Sequence, residues 1–449
     1  MRSPNSLILL FPLLSATGFT QTSAPAAERR TVSEKLICHL DPSMLAAYPV
    51  SSPDSRRVAY VAPVGRKFAV VVDGKEGKPY DDIGGGSLIF SPDGRRVAYE
   101  AQIGAKQFIV VDGKEEKRYD AIGAGSLMFS PDSRRVAYGA QVGAKQFIVV
   151  DGKEEKRYDV IGAGTLIFSP DSRRVAYEAR VDAKQFAAVV DGKEGQSYDA
   201  IDSLIFSPDG QRVAYRAQVG EKQFVVVDGK EEKPYDGASA PIFSPDSRRV
   251  AYAAKLAAGQ FVVVGAKEEK PYDGIGGLIF SPDSRRVAYA AKLAAKQFVV
   301  VDGKEEKPYD LIFEGIITIS PDSRRVAYGA KVGEKAVVVV DGKEEKPYYG
   351  ISAGTLIFSP DSRRFAYMAG VGEKQFVVVD GKEGKLYDGI GAGLPIFSPD
   401  SRRFAYMAGV AEKQFGRGGW QRGTVLRWLA EREGTYRIRR CQCSSLHRG

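Results

Sequence analysis

Between residues 49 and 415 the apolar residues fall in short runs that return in the same order ten times. One round of the pattern, taken from Ser126, has four such runs: Leu127 to Phe129, Arg135 to Ala140, Gln146 to Val150, and Arg157 to Ile161. Short segments rich in Val, Ile, Phe and Tyr, bounded by turn-forming residues, predict β-strands. Asp151-Gly152 separates the third run from the fourth, and Asp-Gly between apolar runs is the signal for a tight antiparallel hairpin. Gly143-Ala144 joins the second to the third. The first and second are joined by Ser130-Pro131-Asp132-Ser133, in which proline presets φ and the Ser and Asp side chains can bond the local backbone. Each round is therefore expected to be a four-stranded antiparallel meander.

The turn belongs to the phrase Ser-Pro-Asp-Ser-Arg-Arg-Val-Ala-Tyr, which begins at Ser52, Ser91, Ser130, Ser169, Ser207, Ser244, Ser281, Ser320, Ser359 and Ser398 with few changes. Its spacing is 37 to 39 residues throughout, so the chain is a repeat array, which grows without splitting its core. The third run is Phe-Val-Val-Val or Phe-Ile-Val-Val in most copies, with no polar alternation. Both faces of that strand must be covered. Stacking each sheet between its neighbours covers both, and placing the sheets radially gives an all-β propeller, whose units have about this length. A parallel β-helix is disfavoured because Asp-Gly hairpins reverse the chain. The expected fold is a β-propeller of about ten four-stranded antiparallel blades, in one large ring or two smaller rings.

The copies Phe90-Ser-Pro-Asp-Gly-Arg-Arg-Val-Ala-Tyr99 and Phe206-Ser-Pro-Asp-Gly-Gln-Arg-Val-Ala-Tyr215 resemble the WD-like propeller repeat of TolB-like proteins, over roughly residues 49 to 415. The resemblance implies blades whose first strand lines the axis and a use in periplasmic or secreted protein binding. Lys35 to Leu40, within a lead-in spanning residues 28–48, reads as one further strand, placed to close a ring by adding to the last sheet.

Composition removes several chemistries. The three cysteines are Cys38, Cys441 and Cys443, and the two histidines are His39 and His447, so the repeats hold neither residue. Thiol catalysis, Ser-His triads and Cys/His zinc sites are excluded within them. No cofactor or metal is expected. The net charge of +9 is uneven: residues 416–449 carry eight Arg against Glu431 and Glu433, leaving +3 on residues 1–415. That near balance gives no nucleic-acid footprint. Arg2 followed by the apolar run Leu7 to Ala16 and a stretch of small residues reads as a signal peptide and leader over residues 1–27, cut between Thr17 and Ala27. The run is too short to span a bilayer as a helix, so a periplasmic or secreted location is expected, with no membrane span.

Candidate active residues are few. Gly350-Ile-Ser352-Ala-Gly354 matches the nucleophile elbow but lacks a histidine partner and a strand-to-helix turn; Gly-rich stretches in this slot are expected to ease the step from one blade to the next. Lys-Glu-Glu-Lys, as at Lys114 to Lys117, repeats in most units and is read as a solvated rim whose lysines discourage edge pairing. The Ser-Pro-Asp aspartates supply one carboxylate per turn, too few for calcium. Four departures from the repeat stand out: Glu314 in a Gly-rich connection, Gly265-Ala266 in place of Asp-Gly, Asp202 in a shortened connection, and Tyr349 where Asp is usual. An asymmetric active site needs blades that differ. The reading is thus an exported non-enzymatic scaffold binding a protein or glycan, multivalently through its repeated loops; the alternative is an enzyme or small-ligand binder using an axial opening near Glu314.

The tenth unit keeps step through Lys413-Gln414-Phe415 and then becomes Gly-Arg-Gly-Gly-Trp-Gln-Arg-Gly. Codons for residues 416–423 can be written GGT CGT GGT GGA TGG CAA AGA GGG. Moved forward by one base they encode Val-Val-Val-Asp-Gly-Lys-Glu, the phrase that other units carry here. Residues 416–449 are accordingly read as an out-of-frame tail, expected to be disordered and to leave the tenth blade without its third and fourth strands.

Overall fold

The structure, a computed structural model, describes residues 49–409 except 182–184, 258, 314, 316, 353 and 392–394, together with the strands Leu7–Ile8, His39–Leu40, Arg427–Arg432 and Thr435–Arg440. The described elements are strands, and they form ten four-stranded antiparallel sheets, one for each repeat, numbered here first to tenth by the phrase each contains. This is an all-β propeller, its sheets serving as blades. The chain divides into two compact units at residues 1–213 and 214–449.

The third blade shows how sequence becomes sheet. Its central strands Val136–Val142 and Lys145–Val150 pair along their length, from Ala137 opposite Val150 to Val142 opposite Lys145. Asp151 and Gly152 then take φ of 53° and 76°, the two positive values that a two-residue type I′ hairpin requires. Because that turn uses only two residues, Lys153 falls at once opposite Val150, and the outer strand is Lys153–Glu154, continued by a bridge from Tyr158 to Gln146. The outer strand thus starts earlier than the apolar run Arg157 to Ile161 suggests. Ile161 already bridges Ala179 in the fourth blade.

The glycines do a different task from the one expected. The step between blades is made at Tyr-Asp: Tyr119 bridges Gln107 of the second blade, and Ala121, two residues on, pairs with Gln141 of the third. Gly123 to Ser126 then interrupt the inner strand, whose two pieces, Ala121–Ile122 and Met128–Phe129, both pair with Val136–Val142. Gly125 has φ of 66° in this bulge, and Ser126 N–H donates to Gly123 O. Where the connection is shorter, as at Ala200–Phe206 and Gly274–Phe280, the inner strand is continuous.

The core lies between consecutive blades. Ala137, Ile148 and Val150 of the third pack on Tyr158, Leu166, Val175, Tyr177 and Val189 of the following stretch, and the same cluster recurs between the seventh and eighth blades around Val299, Tyr309, Tyr328 and Val339. Burying both faces explains the unbroken Val runs.

Both ends of the chain carry short described strands. His39–Leu40 pairs with Leu7–Ile8 in a two-stranded sheet of its own; the rest of the lead-in strand expected over Lys35 to Leu40 lies outside the described residues. Arg427–Arg432 and Thr435–Arg440 complete the tenth sheet, with Ala430 opposite Ala405. The tail therefore does supply a third and a fourth strand. Backbone pairing explains this, since the open edge of Phe404–Gly409 can accept any extended segment whatever its side chains. The pairing is out of step with the array: in the ninth blade Ala366 faces Val379, thirteen residues on, whereas Ala405 faces a residue twenty-five on.

Candidate functional site

The Ser-Pro-Asp phrase is built to tie blades together. Ser130 is fully buried; its Oγ donates to Asp132 Oδ1 at 2.6 Å and accepts from Arg135 N–H at 2.9 Å. Asp132 Oδ1 also accepts from Arg134 N–H. The serine bond, then the backbone N–H, hold the Asp132 carboxyl below its ordinary range. Ser133 sits at φ 68°, which is why glycine replaces it at Gly94 and Gly210 without loss of the turn. Across the blade boundary, Asp132 N–H donates to Ser172 Oγ.

In this phrase it is the second arginine that reaches the next blade. Arg135 Nε donates to Asp151 Oδ2 at 2.8 Å, its Nη1 donates to Ser172 O and Arg173 O, and its guanidinium lies 5.4 Å from the Phe168 ring. Arg134 is 86% exposed and only 4.0 Å from Asp132. Most phrases therefore turn a surface of Pro, Asp and one Arg outward, as Pro131, Asp132 and Arg134 do, with Gln211 in place of that Arg in the fifth.

Lys-Glu-Glu-Lys is more than a rim. Glu154 pairs with Lys117 of the preceding blade at 2.5 Å, while Glu116 and Glu155 accept from the buried hydroxyls of Tyr138 and Tyr177 in the next. Burial, followed by that bond, drives the Tyr138 hydroxyl far above its usual range; Tyr119, packed edge-on against Tyr138 and Phe147, is pushed up to about 12, mainly by burial. The Tyr-Asp aspartate adds another tie: Asp120 holds Lys106 of its own blade and accepts from Gly143 N–H of the next.

The departures from the repeat acquire physical meaning here. Gly265-Ala266 keeps the hairpin, with φ of 55° and 66°, but removes the carboxylate, so Arg249 loses its aspartate and turns to Ser284 O. Tyr349 replaces the aspartate that faces Lys335, and Lys335 Nζ sits 5.8 Å from its ring instead. Asp202 lies in the inner strand of the fifth blade, where its charge adds to burial in raising the Glu178 carboxyl. Ser352 N–H donates to Met368 O within a sheet, so no nucleophile elbow forms. Glu314 lies outside the described residues.

Sequence reading missed the position after Val-Ala-Tyr. It is Val61, Glu100, Gly139, Glu178, Arg216, Ala253, Ala290, Gly329, Met368 and Met407 in turn, the place where otherwise matching blades differ. Its side chain faces the following blade, as when Arg216 Nη1 donates to Ala238 O at 2.7 Å. Glu100 and Glu178 are half-buried there and both carboxyls are raised, first by burial and then by Asp82 and Asp202. At Gly139 no side chain exists, and a cavity of about 320 Å³ opens between the third and fourth blades. The signal was available as a variable column directly after a nearly constant phrase. Among the described residues, no three His, Cys, Asp or Glu side chains converge as metal ligands, and no helix is long and apolar enough to cross a membrane.

No protein-family model matches the chain. No curated protein matches it either. Among solved structures it is similar to a crystal structure of the eukaryotic initiation factor, with 11% identity over 74% of this chain and 96% of that one, at a TM-score of 0.39. TolB from Acinetobacter baumannii shares 15% over 57% and 82%, at 0.26. The β-propeller domain of the Trilobed protease from Pyrococcus furiosus shares 16% over 58% and 95%, at 0.28.

Proposed function

We propose that this chain is an exported, non-enzymatic β-propeller that acts as a protein- or glycan-binding scaffold, engaging its partner through many copies of one small surface. The observation that carries the reading is the contrast within each Arg pair: the second arginine is consumed in ties between blades, while the first stands exposed beside Pro and Asp in blade after blade. Identical weak contacts on linked blades add up through effective concentration. The reading is supported by the other polar residues described in the repeat, many of which tie one blade to the next.

The test uses the full chain immobilised against exported proteins and glycans, followed by stepwise Arg95→Gln, Arg134→Gln and Arg173→Gln. Binding is expected to weaken with each substitution. Loss of all binding on changing one blade alone, or retention after all three, overturns the proposal.

A further inference from the structure

The cavity between the third and fourth blades is a space that the fold normally fills. In the second blade the residue at this position is Glu100, whose carboxylate lies over Gly84, 2.8 Å from where a Cβ on that glycine would stand. In the ninth it is Met368, buried, with its N–H donating to Thr355 Oγ1. Gly139 N–H makes the matching bond to Ser126 Oγ, so the backbone is the same and only the side chain is missing. A Cβ on Gly139 would meet nothing nearer than 3.4 Å. The void is therefore a consequence of residue choice and not of backbone distortion.

Its walls define what can enter. Ile122, Met128, Phe147, Ile148 and Leu166 supply apolar surface. The polar side chains on the wall are occupied with the protein itself: Ser126 Oγ donates to Gly123 O, Gln141 Nε2 donates to Gly143 O, and Gln146 Oε1 accepts from Ile161 N–H. A charged guest would lose its hydration with no counter-ion in return, at a cost of several kcal/mol. The mouth is framed by exposed Gly123, Ala124, Gly125, Ala163 and Gly164, so entry needs no side chain to move. The volume falls within the range of small-molecule sites, and a space between two sheets packed about 10 Å apart favours a flat shape.

We propose that this cavity binds one small, neutral, aromatic compound. The site is independent of the repeated outer surface, and its occupancy does not rest on the scaffold reading.

The probe is N-phenyl-1-naphthylamine, neutral and fluorescent in apolar surroundings, titrated into the full chain. Saturable binding at one site is expected. Gly139→Met, which installs the side chain that the ninth and tenth blades carry, is expected to weaken it by at least about tenfold, while Ala253→Met, which installs the same side chain in the sixth blade, leaves it unaltered. Should Gly139→Met not fold, Gly139→Glu, the residue of the second and fourth blades, takes its place. In the unaltered chain the probe is also expected to slow peroxide oxidation of Met128, read by mass spectrometry. Absence of saturable binding, equal affinity in the Gly139 variant, equal loss in Ala253→Met, or no protection of Met128 each overturns the site.

Discussion

The Asp-Gly hairpin of the third blade and the Gly265-Ala266 hairpin of the sixth have the same shape and different consequences. At Asp151 the carboxylate accepts from Arg135 Nε and from Val136 N–H, linking hairpin, phrase and, through the same guanidinium, the next blade. At Gly265 the backbone still closes, with its N–H donating to Val250 O at 2.9 Å, but the carboxylate is gone. A β-turn and a tie between blades are thus separable properties of one dipeptide: glycine and positive φ make the first, and the aspartate side chain makes the second.

The largest effect is expected from breaking the tie where it is whole. Arg135→Ala removes bonds to Asp151, Ser172 O and Arg173 O together with the ring contact to Phe168, and should cost about 2–3 kcal/mol. The adjacent Arg134→Ala should change stability by no more than about 0.5 kcal/mol. Thermal melts of the two variants check the pair, and equal losses would remove the distinction between the arginines. Next in size is repair of the sixth blade. Gly265→Asp with Ala266→Gly restores the partner of Arg249 and relieves a non-glycine residue at φ 66°, and should stabilise by about 1 kcal/mol in denaturant titration. The same pair of changes made without the arginine, in Arg249→Ala, should yield only the backbone part.

Acid separates the two kinds of carboxylate. Nine Ser-Pro-Asp aspartates, Asp54, Asp93, Asp132, Asp171, Asp246, Asp283, Asp322, Asp361 and Asp400, are held below 3.8, first by the serine hydroxyl and then by a backbone N–H. The folded chain releases these protons more readily than the unfolded one, so the stability they give is full above pH 3.8 and is lost as pH falls through their folded values. Melting temperature is expected to drop steeply below that point, with a shallower drop in a chain carrying Asp132→Asn and Asp171→Asn. The smallest effect runs the other way. Burial, then Asp202, raises Glu178 above 4.5, so its charged form costs stability above the folded value and the cost is relieved as pH falls toward 4.5. Glu178→Gln should therefore stabilise at pH 7 by under about 1 kcal/mol and make no difference near pH 4; equal effects at both would mean that charge is not the cause.

The blades, their strand number and their two signature turns were legible because each rests on local chemistry. Asp-Gly demands two positive φ values, and Ser-Pro-Asp-Ser closes a turn through its own hydroxyl and carboxylate. The outer strand was placed late because Lys153–Glu154 carries no apolar residue, although the two-residue turn dictates its start. The glycines of residues 123–125 were assigned to the wrong step because a bulge within a strand and a crossover between strands leave the same glycine-rich stretch. Of the four departures from the repeat, two proved to mark altered ties, at Gly265 and Tyr349, and Asp202 brings like charge to Glu178, while the column from Glu100 to Met407 went unread directly after a phrase that looked constant.

What the sequence determined by itself is each blade, since the residues that build it lie within one repeat and act over a few positions. What tertiary structure decided is the use of residues left over from that task. Arg134 and Arg135 are neighbours of one type, yet only Arg135 is paired with Asp151 and with carbonyls 37 and 38 residues away. Asp132 finds Ser172 at a separation of 40, and Gly139 opens a cavity only because the fourth blade leaves its glycine loop opposite. Such contacts run between blades whose local sequences are nearly the same, and no local preference can tell which identical side chain will face solvent and which will face a neighbour.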